Sequence, residues 1–151
     1  MRAYGVDAYL VPTADYHESE YVGTYFKART YITGFTGSAG TAVITQDEAC
    51  LWTDGRYFVQ AAKELAGTGV TLMKMGQEGV PTVEEYLQAN TKEGMTIGFD
   101  GRVVNEMLGE TLEKTLPERF LSYRSDLIGE IWSDRPALSA EPVWILDSKY
   151  T

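Results

Sequence analysis

A glycine-rich stretch, ITGFTGSAGTAVIT from Ile32 to Thr45, contains the first residues whose spacing suggests chemistry. Its glycines stand three residues apart, at Gly34, Gly37 and Gly40. A phosphate-binding loop would place a lysine and a serine or threonine after the last glycine, at the start of a helix. Here Thr-Ala-Val follows at positions 41–43, which is typical of a strand. The pattern therefore favours a turn between strands, in which glycine permits a positive φ and a close backbone approach.

Ser38 lies within this stretch, and His17 is the single histidine of the chain. A nucleophile elbow needs a glycine two residues before the serine and another two residues after it. Gly40 meets the second requirement, but Thr36 stands where the first glycine should be. A small serine hydrolase that uses Ser38 and His17 is therefore one alternative function, while a structural turn is the favoured interpretation.

A second candidate is TADYHESEYV, from Thr13 to Val22, which follows the first predicted strand. Proteins of the α/β class often place functional loops at this point. His17 and Glu20 stand three residues apart and would share one face of a helix. A His-x-x-Glu pair can bind a metal, but the chain offers no second histidine to complete a usual site. A hydrogen-bonded loop histidine, or a contact to substrate or partner, is the better interpretation.

A third candidate is LWTDGRYF, from Leu51 to Phe58. Asp54 and Gly55 read as a turn from strand to helix, which the side chain of Thr53 or Asp54 could cap. Arg56 could pair with Asp54 or contact an anion. The single cysteine, Cys50, lies among apolar residues with no cation nearby, so we predict a core position and no internal disulfide. These three segments do not add up to a complete catalytic set.

The elements that must position these residues alternate between short apolar strands and amphipathic helices. Predicted strands are Asp7 to Val11, Thr41 to Thr45, Ala49 to Thr53, Val70 to Met75, Thr96 to Phe99 and Arg119 to Tyr123. Predicted helices carry apolar positions at Tyr57, Phe58, Ala61, Ala62 and Leu65, at Val83, Tyr86 and Leu87, at Val104, Leu108, Leu112 and Leu116, and at Leu127, Ile128, Ile131 and Trp132. Thr82 and Glu85 have the spacing of a capping box. This order predicts an α/β fold whose hairpin makes the sheet mixed.

The last residues differ in composition from the rest. Residues 1–135 are predicted to form one domain, and residues 136–151 to form a linker and the first strand, Val143 to Asp147, of a truncated second domain. A strand that is followed by no further element suggests that the chain is a fragment of a longer protein.

Composition limits the classes of function. The 151 residues are 44% hydrophobic and 12% aromatic, which is enough for a folded core. A formal net charge of -9 argues against binding to a nucleic-acid backbone. No apolar run approaches the roughly 18 residues of a membrane span, so no membrane partner is expected. A cytoplasmic location is the default expectation.

Five segments together resemble a known family. They are DAYLVPTADYHESEYV, YITGFTGSAGTAVIT, LWTDGRYFVQAAKEL, TLMKMG and IWSDRPALSAEPVWIL, and they occur in this order along nearly the whole chain. The set resembles the N-terminal region of Xaa-Pro aminopeptidases (aminopeptidase P) in the creatinase/prolidase family. The resemblance implies a mixed β-sheet flanked by helices, with a ribonuclease-H-like motif.

The resemblance also implies an activity for a longer parent enzyme, which is removal of an N-terminal residue that precedes proline. Hydrolysis there uses water bound between two divalent metal ions, often manganese. The family's ligands, two Asp, one His and two Glu, lie in a later domain, and none of those motifs occurs in this chain. The resemblance therefore implies a non-catalytic domain, without metal or cofactor of its own, that assists active-site closure and assembly.

The partners that the resemblance implies are the peptide substrate of the parent enzyme and the remaining domains of the same polypeptide, and it allows a homodimer. The residues that match family loops are candidates for the substrate entrance or an interface: His17, Glu20, Tyr21, Gly37, Ser38 and Arg56. A free-standing domain that binds a peptide or small ligand is a further alternative.

Overall fold

The structure, a computed structural model, describes residues 1–150. Within these residues six strands form one sheet in the order β4-β3-β2-β1-β5-β6. The strands are β1 Ala8–Pro12, β2 Thr41–Ile44, β3 Ala49–Thr53, β4 Val70–Lys74, β5 Thr96–Phe99 and β6 Phe120–Ser122. The hairpin of β2 and β3 is antiparallel and β2 also runs antiparallel to β1, whereas β1 with β5, β3 with β4 and β5 with β6 are parallel pairs. The predicted mixed sheet is therefore confirmed.

Helices cover both faces of this sheet. The α-helices are α1 Ala28–Thr33, α2 Phe58–Glu64, α3 Val83–Asn90, α4 Glu106–Thr115 and α5 Leu127–Ile131, and short 3₁₀ turns lie at Arg2–Tyr4, Thr24–Phe26, Gly55–Tyr57 and Ser148–Tyr150. The predicted capping box opens α3: the amide of Glu85 donates to Thr82 Oγ1, and the amide of Thr82 donates to the Glu85 carboxylate. No helix of residues 1–150 combines the length and apolar character that crossing a membrane requires.

Two apolar cores lie on opposite faces of the sheet because neighbouring side chains of a strand point to opposite faces. On β3, Trp52 joins the core beneath α3 and α4, while Leu51 joins the core beneath α1, α2 and α5. Cys50 is fully buried in the first of these cores. The predicted core position of this cysteine is confirmed, and burial raises the pKa of its thiol.

The structure differs from the predicted elements at two places. The sequence analysis predicted no helix at the residues of α1. This helix places Arg29 and Thr33 in the interior. The strand predicted at Val143 to Asp147 is not formed: residues 135–147 have no regular structure, and Val143 and Ile145 are almost fully exposed. A strand needs a neighbour for its backbone hydrogen bonds, and no strand lies beside this segment within residues 1–150. The domain division at residue 135 stays a prediction.

Candidate functional site

An open pocket of about 380 Å³ lies where β1 ends. Three segments form its wall: the loop that follows β1, helix α1 and the glycine-rich loop before β2. Its lining residues are Thr13, Glu20, Tyr21, Val22, Lys27, Arg29, Thr30, Thr36, Gly37 and Ser38. The pocket thus brings together four of the six residues that the sequence analysis named as entrance or interface candidates, together with two cations that it did not name.

Arg29 fixes one side of this pocket and is only 3% exposed. Its Nε donates to Thr13 Oγ1 at 3.0 Å, its Nη1 donates to the carbonyl of Phe35 at 2.6 Å, and its Nη2 donates to the carbonyl of Gly37. The guanidinium also lies over the Phe35 ring, with 4.8 Å between Cζ and the ring centroid. Burial lowers the pKa of Arg29 to about 10. One side chain therefore joins the loop after β1 to the glycine-rich loop.

The three glycines serve the structural roles that the sequence analysis favoured. Gly34 ends α1 with a φ of 78°. A Cβ on Gly37 would lie 2.2 Å from Cζ of Phe35, and one on Gly40 would lie 2.9 Å from the carbonyl oxygen of Trp52. Gly34 therefore supplies a left-handed backbone conformation, and the other two permit close approach. These roles of the glycines are therefore confirmed, but the segment is a loop between α1 and β2 and not the predicted turn between two strands.

Ser38 is held by its neighbours rather than paired with a base. Its Oγ and the Oη of Tyr57 lie 2.7 Å apart in a hydrogen bond. Within residues 1–150 no hydrogen bond joins Ser38 to His17, so the structure does not assemble the pair that a serine hydrolase would need. On the other side of the loop, Thr36 donates its amide and its hydroxyl to the Glu64 carboxylate at 2.8 and 2.7 Å.

The loop that contains His17 is not helical, and the expectation that His17 and Glu20 share a helical face is wrong. The backbone amides of His17 and Ser19 both donate to Asp15 Oδ1, at 2.9 and 3.0 Å. These hydrogen bonds, with that of Ser19 contributing most, lower the pKa of Asp15. A side chain that captures nearby amides competes with helix formation. Glu20 and the 76% exposed Tyr21 reach the pocket, whereas His17 is exposed outside it.

Arg56 lies in the turn before α2 and pairs with Asp54, as the sequence analysis allowed. Its Nε and Nη2 donate to Oδ1 and Oδ2 of Asp54, both at 2.9 Å. The amide of Arg56 also donates to Asp54 Oδ1 at 3.0 Å, so Asp54 caps the turn. Thr53, the other capping candidate, is buried and donates its hydroxyl to the carbonyl of Ala39. Arg56 therefore contributes to the turn and does not line the pocket.

The assembled site is suited to binding. It combines cations, a carboxylate and several hydroxyl groups around one opening. Within residues 1–150 no group of three or more His, Cys, Asp and Glu side chains is placed to hold a metal ion. The sequence analysis did not include Lys27 and Arg29 among the candidate site residues, because an isolated cation in a polar segment is usually an exposed surface residue.

Comparisons with known proteins identify this architecture. The family model of the creatinase/prolidase N-terminal domain matches residues 1–131. Aminopeptidase P2 of Arabidopsis thaliana is 43% identical, in an alignment covering 97% of this chain and 21% of that protein. The X-prolyl aminopeptidase of Caenorhabditis elegans, described as a cytosolic enzyme with a di-nuclear active site, is 40% identical with a TM-score of 0.86, over 94% of this chain and 24% of that one.

A more distant structure, the X-Pro aminopeptidase of Thermotoga maritima, shares the fold alone, with a TM-score of 0.64 and 22% identity over 86% of this chain and 34% of that one. The chain spans about a fifth to a quarter of the length of the curated relatives it matches. The family model covers most of the chain, and the mixed sheet is shared with the solved relatives. The chain therefore belongs to the creatinase/prolidase N-terminal domain family.

Proposed function

We propose that this chain is the non-catalytic N-terminal domain of a metal-dependent Xaa-Pro aminopeptidase, in which it assists active-site closure and assembly. The observation that carries the proposal is 43% identity to an aminopeptidase P along 97% of this chain, of which the chain spans only 21%. In the parent enzyme the reaction is hydrolysis of the peptide bond between an N-terminal residue and proline. The peptide substrate and the remaining domains of the polypeptide are then the partners of this domain.

The proposal assigns the metal pair to the remaining domains. The side chains of residues 1–150 do not fit such a centre, since no three potential ligands converge there. The C. elegans relative is described as having a di-nuclear active site, which supports two metal ions in the parent enzyme. We propose manganese as their identity, a cytoplasmic location and a homodimer on the strength of the family resemblance.

The pocket beside α1 is the part of this domain that we propose lies at the substrate entrance or at an interface with the remaining domains. Glu20, Tyr21, Gly37 and Ser38 face it, and Tyr21 exposes three quarters of its surface. His17 lies in the same loop as Glu20, outside the pocket. We also propose that residues 136–151 lead into a second domain, since Val143, Trp144 and Ile145 are 73–100% exposed and suited to burial against further protein.

A test compares the 151-residue chain with the full-length protein that carries it. With manganese present, the chain alone should not hydrolyse an Xaa-Pro peptide, and the full-length protein should. In the full-length protein, Glu20→Gln and Tyr21→Ala should reduce kcat/KM for the peptide. The matched control is Glu78→Gln, because Glu78 is an exposed carboxylate in the turn that follows β4.

Two results would overturn the proposal. One is hydrolysis of an Xaa-Pro peptide by the 151-residue chain alone. The other is a full-length protein without Xaa-Pro aminopeptidase activity. If Glu20→Gln and Tyr21→Ala behave like Glu78→Gln, the entrance role of the pocket is wrong even though the domain assignment stands.

A further inference from the structure

Arg29 carries a charge that no carboxylate within residues 1–150 contacts directly. Its three hydrogen bonds go to neutral oxygens, those of the Thr13 hydroxyl and the carbonyls of Phe35 and Gly37. A guanidinium has five N–H hydrogens, so two remain without a partner within residues 1–150. The neighbouring carboxylate of Glu64 attracts Arg29 through space, but it makes no hydrogen bond to the guanidinium and accepts hydrogen bonds from Thr36. A buried cation of this kind favours an anionic partner from outside the chain.

A second cation lies on the same pocket. The Lys27 side chain is exposed, lines the pocket and makes no hydrogen bond or ion pair in the part of the chain that the structure describes. Thr30 lies one helical turn further along and also lines the pocket, and among residues 1–150 its hydroxyl has no partner. Lys27, Arg29 and Thr30 therefore place two cations and one hydroxyl group on the wall of the same pocket.

The charge around the pocket is opposite to that of the whole chain. Two cations line it against one carboxylate, Glu20, although the chain as a whole has a formal net charge of -9. Such a local excess attracts a singly charged anion. Glu20 on the rim disfavours a dianion such as phosphate more strongly than it disfavours a carboxylate. The two remaining N–H hydrogens of Arg29, one on Nη1 and one on Nη2, match in number the two oxygens of a carboxylate.

We infer that the pocket formed by Lys27, Arg29 and Thr30 with the glycine-rich loop binds the carboxylate of a short peptide. The pocket volume of about 380 Å³ suits a ligand of this size. The carboxylate is either the free C-terminus of the peptide or the side chain of an acidic residue in it. This inference concerns the chain by itself and does not depend on the proposed function.

The test is an NMR titration of the ¹⁵N-labelled chain with four probes: trialanine, trialanine amide, Ala-Glu-Ala amide and inorganic phosphate. Trialanine should shift the amide signals of Thr30, Gly37 and Ser38 and should saturate at millimolar concentration. Trialanine amide should bind about tenfold more weakly, because it lacks the charge-assisted hydrogen bonds. Binding by Ala-Glu-Ala amide identifies the side chain as a source of the carboxylate, and its failure leaves the C-terminus as the source.

Substitutions of pocket residues test whether trialanine binds in this pocket. Lys27→Gln should weaken trialanine binding about threefold, which is the range for an exposed charge pair. Arg29→Lys should weaken it about tenfold, since the two remaining N–H donors of the planar guanidinium are lost. The matched control is Lys63→Gln, because Lys63 is an exposed lysine on α2 outside the pocket, and it should leave binding unchanged. Because Arg29 also supports the fold, Lys27→Gln and Thr30→Ala decide the outcome if Arg29→Lys does not fold.

Several results would overturn the inference. They are the absence of a saturable shift with any peptide acid, equal binding of trialanine and its amide, and tighter binding of phosphate than of trialanine. An equal loss of affinity in Lys27→Gln and Lys63→Gln would also contradict it, because the charge effect would then not be local to the pocket.

Discussion

Replacing Gly37 by alanine tests whether the glycine-rich loop is packed as the structure shows. The added Cβ would lie 2.2 Å from Cζ of Phe35 and 2.8 Å from Cδ1 of Tyr57. The Phe35 ring cannot move away easily, because it is fully buried and contacts both the Arg29 guanidinium and the Tyr57 ring. Overpacking of this kind costs about 1–3 kcal/mol. The lower entropy of the unfolded alanine chain returns about 0.7 kcal/mol.

We therefore expect Gly37→Ala to lower the free energy of unfolding by about 1.3 kcal/mol, which is the middle of the overpacking range less the entropic gain. Gly109→Ala is the matched control, because Gly109 lies inside α4 and its Cβ would meet no atom within 4 Å. Alanine at a helical position is more favourable than glycine by up to about 1 kcal/mol. Urea unfolding followed by tryptophan fluorescence measures both variants, and Gly109→Ala should be more stable than the original chain.

The comparison is direct because both variants make the same chemical change. The packing account of the loop is refuted if Gly37→Ala unfolds at the same urea concentration as Gly109→Ala. A reduced m-value in Gly37→Ala would show a different effect, since it would indicate a change in the surface exposed on unfolding rather than in the packing of the native state.

Three further variants test other contacts. Thr82→Ala removes the N-cap of α3, and we expect thermal denaturation to show a loss of about 1 kcal/mol; an unchanged midpoint would contradict the capping box. Burial raises the pKa of Tyr9 to about 12 from an ordinary value of about 10, so the unfolded chain releases this proton first. Stability should therefore fall by up to about 2.7 kcal/mol between pH 10 and 12, as measured by urea unfolding, and Tyr9→Phe should lose less over that range. Burial by itself would raise the pKa of Asp126, but hydrogen bonds from Arg135 and Gly129 outweigh this effect, so the pKa lies below its ordinary value. Asp126→Asn should therefore have a lower free energy of unfolding than the original chain at pH 7, and this difference should become smaller as the pH falls below about 4. A difference in stability that does not depend on pH would count against the ion pair.

Local sequence signals predicted most of the sheet. The β2–β3 hairpin was visible because two β-rich runs flank a short polar segment, and these contacts are close in sequence. The capping box at Thr82 and Glu85 was visible because its two hydrogen bonds join residues only three positions apart. Both features depend on neighbours along the chain, so a single sequence contains the information that determines them.

The site was only partly predictable, because its wall is assembled from segments that are far apart in sequence. Thr13 and Gly37 are joined through Arg29, and no spacing rule connects these three positions. The burial of Arg29 depends on the carbonyl groups that surround it, which only the folded loop brings together. The Asp15 side chain likewise decides the shape of the His17 loop through two amide hydrogen bonds. Hydrophobic periodicity gives no information about a side chain that competes locally for backbone amides.

The same contacts determine both the shape and the charge of the pocket. Gly37 must lack a side chain so that Phe35 and Tyr57 can pack against it, and its carbonyl then accepts a hydrogen bond from Arg29. That hydrogen bond holds the guanidinium against the loop, and within residues 1–150 all of its hydrogen-bond partners are neutral oxygens. A carboxylate supplied by this chain would fill the position and neutralise the pocket. The glycine-rich loop therefore holds the Arg29 cation in place. The contacts among Gly37, Phe35 and Arg29 determine the conformation of the loop, and the proposed binding of an external carboxylate depends on the same contacts.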